Sequence, residues 1–382
     1  MGFHEFSSPY DWSRIAAYKR TAKAAFGGMI DLSVGSPVDP VPDSVRKALA
    51  AAANDPNAYG YPVTAGTADL RAAIAEWFSA TRNVDLQAIH ADVVPTVGSK
   101  EGVALMASLL HFGEDDVVVQ PKVSYPTYEI GTQLAGAQVL KVDDVADVAS
   151  WRNVPGVKAV WVNSPCNPTG EVYSAERMAG IVAAAREIGA VVLSDECYAL
   201  MQWRGATNSA DDDPLQSTPC ALRSDVCAGS AEGVLVLYSL SKQSNMAGYR
   251  TAFIAGDESL IASMSAYRKQ IGQIIPGPVQ AAMAAGLRDL ESVKVQYARY
   301  RERLGVLVSA LRAYGYCTDM PDGALYVWVR AKSGDCWTDM EQLAKIGIIA
   351  SPGEFYGAPE CLRFSATASD EAIASAAERL VR

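Results

Sequence analysis

Histidine is nearly missing from this chain, with three in 382 residues. None lies near another, which excludes a histidine-rich metal site. Cysteine is present but unorganised. The seven residues Cys166, Cys197, Cys220, Cys227, Cys317, Cys336 and Cys361 show no paired ligand spacing, and their odd number argues against a disulfide framework. No secretory leader is evident, so reduced thiols in a cytoplasmic protein are expected. No apolar run approaches the length needed to cross a bilayer. Basic charge is in deficit, with 33 Lys and Arg against 43 Asp and Glu for a net charge of −10. That disfavours a general nucleic-acid binder but leaves room for a local basic pocket. Repeats and low-complexity tracts are absent as well. What remains is 49% hydrophobic and 20% charged, the balance of a soluble globular enzyme. Its length exceeds one ordinary domain.

The first 45 residues read as an arm. SSPYDW is aromatic and turn-rich, a helical stretch follows from Trp12 to Ala25, and DLSVGSPVDP then breaks the pattern. Phe3, Phe6, Tyr10 and Trp12 are available to pack on a partner subunit or on the chain's own C-terminal part. From about Val45 to Gln270, short apolar runs alternate with amphipathic segments. The expected strands are Val93–Pro95, Val117–Gln120, Ala137–Val142, Val157–Val162, Ala190–Ser194, Val234–Tyr238 and Ala252–Ala255. Helical signals cover Gly102–Phe112, Ala175–Ile188 and Leu260–Ile271. Several strands are apolar throughout, as happens when helices cover both faces of a mostly parallel sheet. A long periodic segment, Val279 to Tyr314, would span about 50 Å as one helix. It would link a large domain, residues 46–275, to a smaller C-terminal one, 276–382, that contains ALYVWVR, GIIAS and CLRFSAT. Met201–Ala231, with the acidic run Asp211–Asp213, reads as an inserted loop, either a surface excursion or a lid.

Lys242 carries the chemistry. It follows the apolar run Val234–Tyr238 in SLSKQSNMAGYR, between the hydroxyls of Ser239 and Ser241 on one side and Arg250 eight residues later. A lysine at a strand end among hydroxyls and an arginine suits a phosphorylated aldehyde cofactor. The amine forms a Schiff base while Ser and Arg bind the phosphate, which makes pyridoxal phosphate the leading cofactor.

Other segments supply matching groups. In VVLSDECYAL, Asp195 lies just beyond a buried strand, where open α/β sheets bind ligands. Its carboxylate is suited to a protonated pyridine nitrogen and Tyr198 to the ring's phenolate oxygen; a helix cap is the other role open to Asp195. In VNSPCNPTGEVYS, Asn167 either donates to the same oxygen or belongs to an ordinary Asx turn. PTVGSKEG opens a helix whose backbone and Ser99 can bind phosphate, without the GxGxxG spacing of a dinucleotide site. Tyr125, in SYPTYE, either stacks on the pyridine or packs on the sheet edge. Arg363, in CLRFSAT, can bind an α-carboxylate with two parallel hydrogen bonds or form a surface ion pair.

Together these segments resemble the class I/II aminotransferases of pyridoxal phosphate fold type I. The match spans nearly the whole chain through AYGYPVTAGTADLR, PTVGSKEG, SYPTY, NSPCNPTG, SDECY, SLSKQSNMAGYR, PDGALYVWV, SPGEFYG and LRFSAT, in family order. The resemblance implies an α/β fold with a mostly parallel large-domain sheet and a smaller α+β domain. It makes Lys242 the Schiff-base lysine, Asp195 the partner of the ring nitrogen, Asn167 and Tyr198 the O3′ partners and Tyr125 the stacked aromatic. Ser99, Lys100, Ser239, Ser241 and Arg250 fall in the phosphate region, where members commonly use the backbone amide at the position of Lys100. Arg363 matches the carboxylate-binding arginine and Gly35 the loop glycine beside it. Tyr61, in preference to Tyr59, matches the tyrosine that reaches a neighbouring subunit's phosphate, so the resemblance implies a homodimer with shared sites. Otherwise Tyr61 would be a core aromatic.

Within the family, the GYPVTAGT segment, GSKE and NSPCNPTGEVYS look most like actinobacterial N-succinyldiaminopimelate aminotransferases of lysine biosynthesis. The implied reaction is a two-stage transamination in which Lys242 moves the Cα proton and Asp195 supports the electron sink. Glutamate/2-oxoglutarate would be the donor pair and N-succinyl-2-amino-6-oxopimelate the acceptor. An aspartate or broad-specificity aminotransferase is the alternative. No second substrate arginine is assignable, and Lys100, Arg20, Tyr326 or the 201–231 loop are the groups available to the distal carboxylate. A carbon–sulfur β-lyase would share every cofactor residue. A noncatalytic ligand-binding module is opposed by Lys242, Arg363 and the missing helix-turn-helix segment, and a nicotinamide dehydrogenase by the missing fingerprint.

Overall fold

The computed structural model describes residues 10–56, 58–203, 215 and 218–382. Its central sheet has seven strands, in the order Ala91–Val97, Thr251–Asp257, Val234–Ser239, Val191–Asp195, Val157–Asn163, Val117–Pro121 and Gln138–Val142. Thr251–Asp257 alone runs antiparallel to its neighbours. Each strand expected from the sequence overlaps one of these. The uninterrupted apolar runs have a two-sided explanation. Val234, Val236 and Phe253 face Trp77 and Phe78 on one side of the sheet. Leu235, Leu237 and Ile254 face Val103 and Met106 on the other. Alternate side chains point to opposite faces, so helices on both faces demand apolar residues at every position.

The smaller domain is built on an antiparallel sheet of Ser351–Pro352, Cys361–Ser365 and Tyr326–Arg330. Ile30–Asp31 pairs in parallel with Ile348–Ile349, so a segment near the start of the chain completes the C-terminal unit. Leu304, Leu307, Met340, Leu343, Phe364 and Ile373 form its core. The architecture is thus α/β, with a large mostly parallel sheet domain and a smaller α+β domain.

Three expectations need correction. The Val279–Tyr314 segment is two helices, Gly277–Arg288 and Leu290–Ala313, separated at Asp289. Asp289 leaves helical geometry at ψ 65° and its carboxylate accepts from Ser292 N at 3.1 Å, capping the second helix. The first helix buries Met283 and Leu287 in the large-domain core, while the second gives Leu304 and Leu307 to the small one. The second helix still gives Val293 to the large-domain core and passes to the small-domain core from Tyr297 onward, so the break redirects the chain just before it changes partner. Met201–Ala231 is not a loose insertion over its described part. Trp203 joins the small-domain core, and Cys220, Leu222, Val226 and Cys227 join the large one; Asp211–Asp213 lie outside the described residues. The stretch Trp12–Ala25 opens with a tight 3₁₀ turn, Trp12–Ile15, before the α-helix Ala16–Ala24.

Of the two partners open to the arm, its own C-terminal domain receives Tyr10 and Trp12. Their rings meet Phe355 edge-on at 5.5 and 5.3 Å, and Arg14 pairs with Glu354 at 2.7 Å. Phe3 and Phe6 lie outside the described residues. Among the described residues, no helix is long and apolar enough to cross a membrane, and no cluster of His, Cys, Asp or Glu could hold a metal.

Candidate active site

The C-terminal ends of the parallel strands open into one cavity of about 250 Å³, the position where open α/β sheets bind ligands. Strand Ala91–Val97 leads to Ser99 and Lys100, and Val157–Asn163 to Asn163 and Asn167. Val191–Asp195 delivers Asp195, Cys197 and Tyr198, while Val234–Ser239 delivers Ser239, Ser241 and Lys242. The small domain closes the cavity with Tyr326, Tyr356 and Arg363, and the N-terminal segment adds Tyr10, Trp12 and Gly35. Tyr125 and Arg250 complete the set read from sequence. Only Tyr61 stands apart: it is fully exposed between two helices, as Tyr59 nearly is, so a core role is excluded.

Lys242 is half-buried and donates to the Gly35 carbonyl. Burial, with Arg363 and Arg250 nearby, pulls its ammonium down to about 8, so a reactive neutral amine is accessible near physiological pH. Asp195 is buried. Its Oδ2 accepts from Tyr128 Oη at 2.8 Å and its Oδ1 from Cys197 N at 3.1 Å. Burial nevertheless raises its proton affinity, since no cation is paired with it among the described residues. A buried carboxylate in that state is suited to a cationic ring nitrogen.

The opposite end of the cavity is built for an anion. Helix Ser99–Leu109 starts at Gly98 with no side-chain cap, so its first N–H groups are free to bind a ligand. Arg250 is exposed, held in a left-handed conformation (φ 57°), and donates to Ala247 O at 2.9 Å with no carboxylate partner among the described residues. Gly98 leaves space for it, because a Cβ there would overlap the guanidinium. Ser239 Oγ bonds to Ser241 Oγ at 2.8 Å and accepts from Ser241 N. An uncapped helix, two hydroxyls and an arginine fit a phosphate monoester.

Arg363 occupies the small-domain side and is buried. It donates to Asn167 Oδ1 at 2.7 Å and to the Ser33 carbonyl at 2.8 Å. Its guanidinium lies 3.9 Å from the Tyr326 ring centre and 4.8 Å from that of Tyr356. Asn167 is itself fixed by Asn163, whose Oδ1 accepts from Asn167 N at 2.8 Å. Asn163 in turn donates to Asp195 O at 2.9 Å, tying adjacent strand ends together. Lys100 lies at the mouth with its ammonium 5.7 Å from the Tyr10 ring centre. Arg20 is exposed on the Ala16–Ala24 helix and does not line the cavity.

Tyr128, Asn163, Cys197 and Tyr356 join the site without a motif in the sequence that singles them out. Tyr128 follows Tyr125 by three residues across the turn into the helix Thr127–Leu134, and their rings meet edge-on at 5.7 Å.

The family model described as "Aminotransferase class I and II" matches residues 27–380. The chain is 40% identical over 373 residues to the 4-dedimethylamino-4-oxo-anhydrotetracycline transaminase of Streptomyces rimosus, covering 97% of this chain and 98% of the relative. A Mycobacterium tuberculosis protein described as a probable aminotransferase is 40% identical over 377 residues, with 97% and 84% covered. A solved structure from Thermus thermophilus, described as a probable N-succinyldiaminopimelate aminotransferase, is 27% identical with a TM-score of 0.83, covering 97% of this chain and 99% of that one.

Proposed function

The chain belongs to the class I and II aminotransferases, pyridoxal phosphate enzymes of fold type I, and from that premise we propose its site roles and its substrates. The observation that carries the reading is the convergence of Lys242, Asp195, Asn167 and Arg363 on one cavity whose far end is an anion cradle. When bound, pyridoxal phosphate supplies an aldehyde for an amine and a ring that spreads the electron pair left at the substrate Cα.

This chain's residues do the rest. Lys242 would hold the aldehyde and, as a free amine, would move the proton at the substrate Cα. Asp195 keeps the ring nitrogen protonated. Tyr198 and Asn167 would donate to the phenolate oxygen, and Tyr125 would stack on the ring. Ser99, Ser239, Ser241, Arg250 and the backbone N–H groups at Ser99 and Lys100 take the phosphate. Arg363 binds the substrate α-carboxylate with two parallel hydrogen bonds, its orientation already set by Asn167 and Ser33. Gly35 is needed beside it, since a Cβ there would overlap the Tyr326 hydroxyl.

We assign glutamate/2-oxoglutarate as the donor pair and broad specificity on the acceptor side, including oxaloacetate, which would become aspartate. One relative at 40% identity is named as a 4-dedimethylamino-4-oxo-anhydrotetracycline transaminase, and relatives at 29% as LL-diaminopimelate and glutamate-pyruvate aminotransferases, so the relatives' names do not converge on one substrate. Lys100, at the mouth and without a carboxylate partner among the described residues, suits a distal carboxylate. N-succinyl-2-amino-6-oxopimelate is the second reading, favoured by the likeness to the Thermus structure; it would make the enzyme part of lysine biosynthesis. Exposed Tyr61, with Tyr59 and Val63 beside it, supports a homodimer in which Tyr61 reaches the phosphate of the second copy. Seven free cysteines accord with a cytoplasmic setting.

The test is spectroscopic. Glutamate added to the cofactor-loaded protein should bleach the visible absorbance, and an acceptor 2-oxo acid should restore it. Restoration by oxaloacetate, pyruvate and the succinylated acceptor alike supports broad specificity. Restoration by the succinylated acceptor alone gives the lysine-pathway reading. A band that glutamate leaves unchanged defeats transamination with this donor.

A further inference from the structure

Tyr326 ties the two halves of the site together beside the Arg363–Asn167 hydrogen bond, through a second side-chain contact of its own. It stands on strand Tyr326–Arg330 of the small domain, which pairs antiparallel with Cys361–Ser365 in the register Ser365–Tyr326 and Arg363–Trp328. Arg363 is therefore Tyr326's diagonal neighbour on the same face, and its guanidinium rests on the Tyr326 ring at 3.9 Å. The Tyr326 hydroxyl crosses to the large domain and meets the Tyr198 hydroxyl at 2.6 Å, both side chains being buried.

Either oxygen of this pair can donate, but their surroundings differ. A cation on the face of an aromatic ring draws electron density from it and strengthens its hydroxyl as a donor. Arg363 does this to Tyr326, and no such cation lies over Tyr198 among the described residues. Gly35 contributes by omission: any side chain there would collide with the Tyr326 hydroxyl.

We propose that Tyr326 is a positioning residue for transamination, donating to Tyr198 so that the Tyr198 proton is directed at the cofactor's phenolate oxygen. The inference rests on the cofactor reading above and adds a residue to it. Donation to Tyr198 also polarises that hydroxyl, making it a better donor in turn. Stabilising the phenolate favours loss of the proton on the lysine-bound nitrogen. Tyr326 thereby lowers the pH at which that nitrogen titrates. The charged and titratable groups facing the pair are Arg363 and Tyr356 from the small domain, Cys197, Asp195, Tyr125 and Lys242 from the large domain, Tyr300 from the helix Leu290–Ala313, and Tyr10 from the N-terminal segment.

The experiment is a pH titration of the visible absorbance of cofactor-loaded wild type, Tyr326→Phe, Tyr198→Phe and the double variant. Tyr326→Phe keeps the ring under Arg363 and removes only the hydroxyl. Its midpoint should rise by about 0.5–1 pH unit, the worth of one hydrogen bond. Tyr198→Phe should rise further, and the double variant should match Tyr198→Phe. A wild-type midpoint in Tyr326→Phe, or shifts that add in the double variant, would assign Tyr326 to the support of Arg363 alone and overturn the proposal. Should Tyr326→Phe not fold, Gly35→Ala attacks the same bond from the other side and must raise the midpoint. A wild-type band that does not titrate removes the cofactor reading itself and this inference with it; a titrating band that ignores Tyr326→Phe removes this inference only.

Discussion

Gly98 and Arg250 share one corner of the cavity, and a Cβ at position 98 would overlap the Arg250 guanidinium. Gly98 also sits at φ 78°, ψ 156°, a conformation in which side-chain-bearing residues are strained by about 1–3 kcal/mol. Gly98→Ala should therefore destabilise the fold modestly and displace the arginine from the phosphate end. We expect at least about a tenfold loss in affinity for pyridoxal phosphate, corresponding to about 1.4 kcal/mol. Affinity for pyridoxal, which lacks the phosphate, should change little. Parallel binding titrations with the two compounds check this, and equal losses would contradict an Arg250–phosphate contact.

Lys242 should capture the cofactor with a pH dependence that reflects its burial. Its ammonium is pulled down to about 8 from an ordinary value near 10.5. Only the neutral amine attacks an aldehyde, so the capture rate of the cofactor-free protein should climb through pH 8 and level off by about pH 9. The same depression means that the unfolded chain binds more protons between those two values. The amine's contribution to stability thus becomes more favourable as pH rises through that window. Stopped-flow absorbance gives the rate profile, and a midpoint near 10 would mean a solvated lysine. Lys242→Ala should show no capture at all.

The strands of the large domain were readable because burial on both faces leaves an unbroken apolar run, as at Val234–Tyr238. That Lys242, Asp195 and Ser99 would line one cavity was legible for a related reason: each follows such a run directly, at a strand end. What escaped depends on contacts distant in sequence. The arginine–tyrosine–tyrosine chain from Arg363 through Tyr326 to Tyr198 needs two domains to meet. Periodicity concealed the break at Asp289, since Leu287 and Leu290 continue the apolar pattern across it. The Asp-x-x-Ser cap was the contrary signal. Residues 218–231 looked like a loop because small residues and cysteines fill narrow core gaps without forming a helix or strand.

Arg363 is held on two sides before any substrate arrives, by Asn167 and the Ser33 carbonyl, with aromatic rings over its faces. Replacing it with alanine should lower kcat/KM for glutamate by about 2–5 kcal/mol in transition-state terms, the cost of removing one partner from a desolvated charge pair. Arg363→Lys keeps the charge but loses the planar fork and the stacking. It should recover only a small part of the activity. Steady-state kinetics with glutamate and with an amine lacking a carboxylate separate the effects: the amine's turnover should be nearly insensitive to either change. A similar loss with both substrates would point to a general disturbance of the site.

Arg82 and Glu196 make an ion pair whose side chains are 0% and 1% exposed, beside the residue proposed to hold the ring nitrogen. Arg82 also donates to Thr218 Oγ1 at 2.6 Å and to the Pro219 carbonyl at 2.9 Å, while Glu196 accepts from Ala221 N at 2.8 Å. The pair thus anchors the return of the chain after residue 217 to the strand end that carries Asp195. Removing either charge alone leaves the other buried and uncompensated, a loss of about 3–5 kcal/mol. Arg82→Met and Glu196→Gln should each lower the urea midpoint accordingly. The double variant Arg82→Met/Glu196→Gln should be less destabilised than the sum, because no lone charge remains. Cofactor affinity should fall in both single variants through displacement of Asp195, although neither residue lines the cavity. Additive urea shifts in the double variant would show that the two side chains stabilise the fold independently, and the anchor would then be the surrounding hydrogen bonds alone.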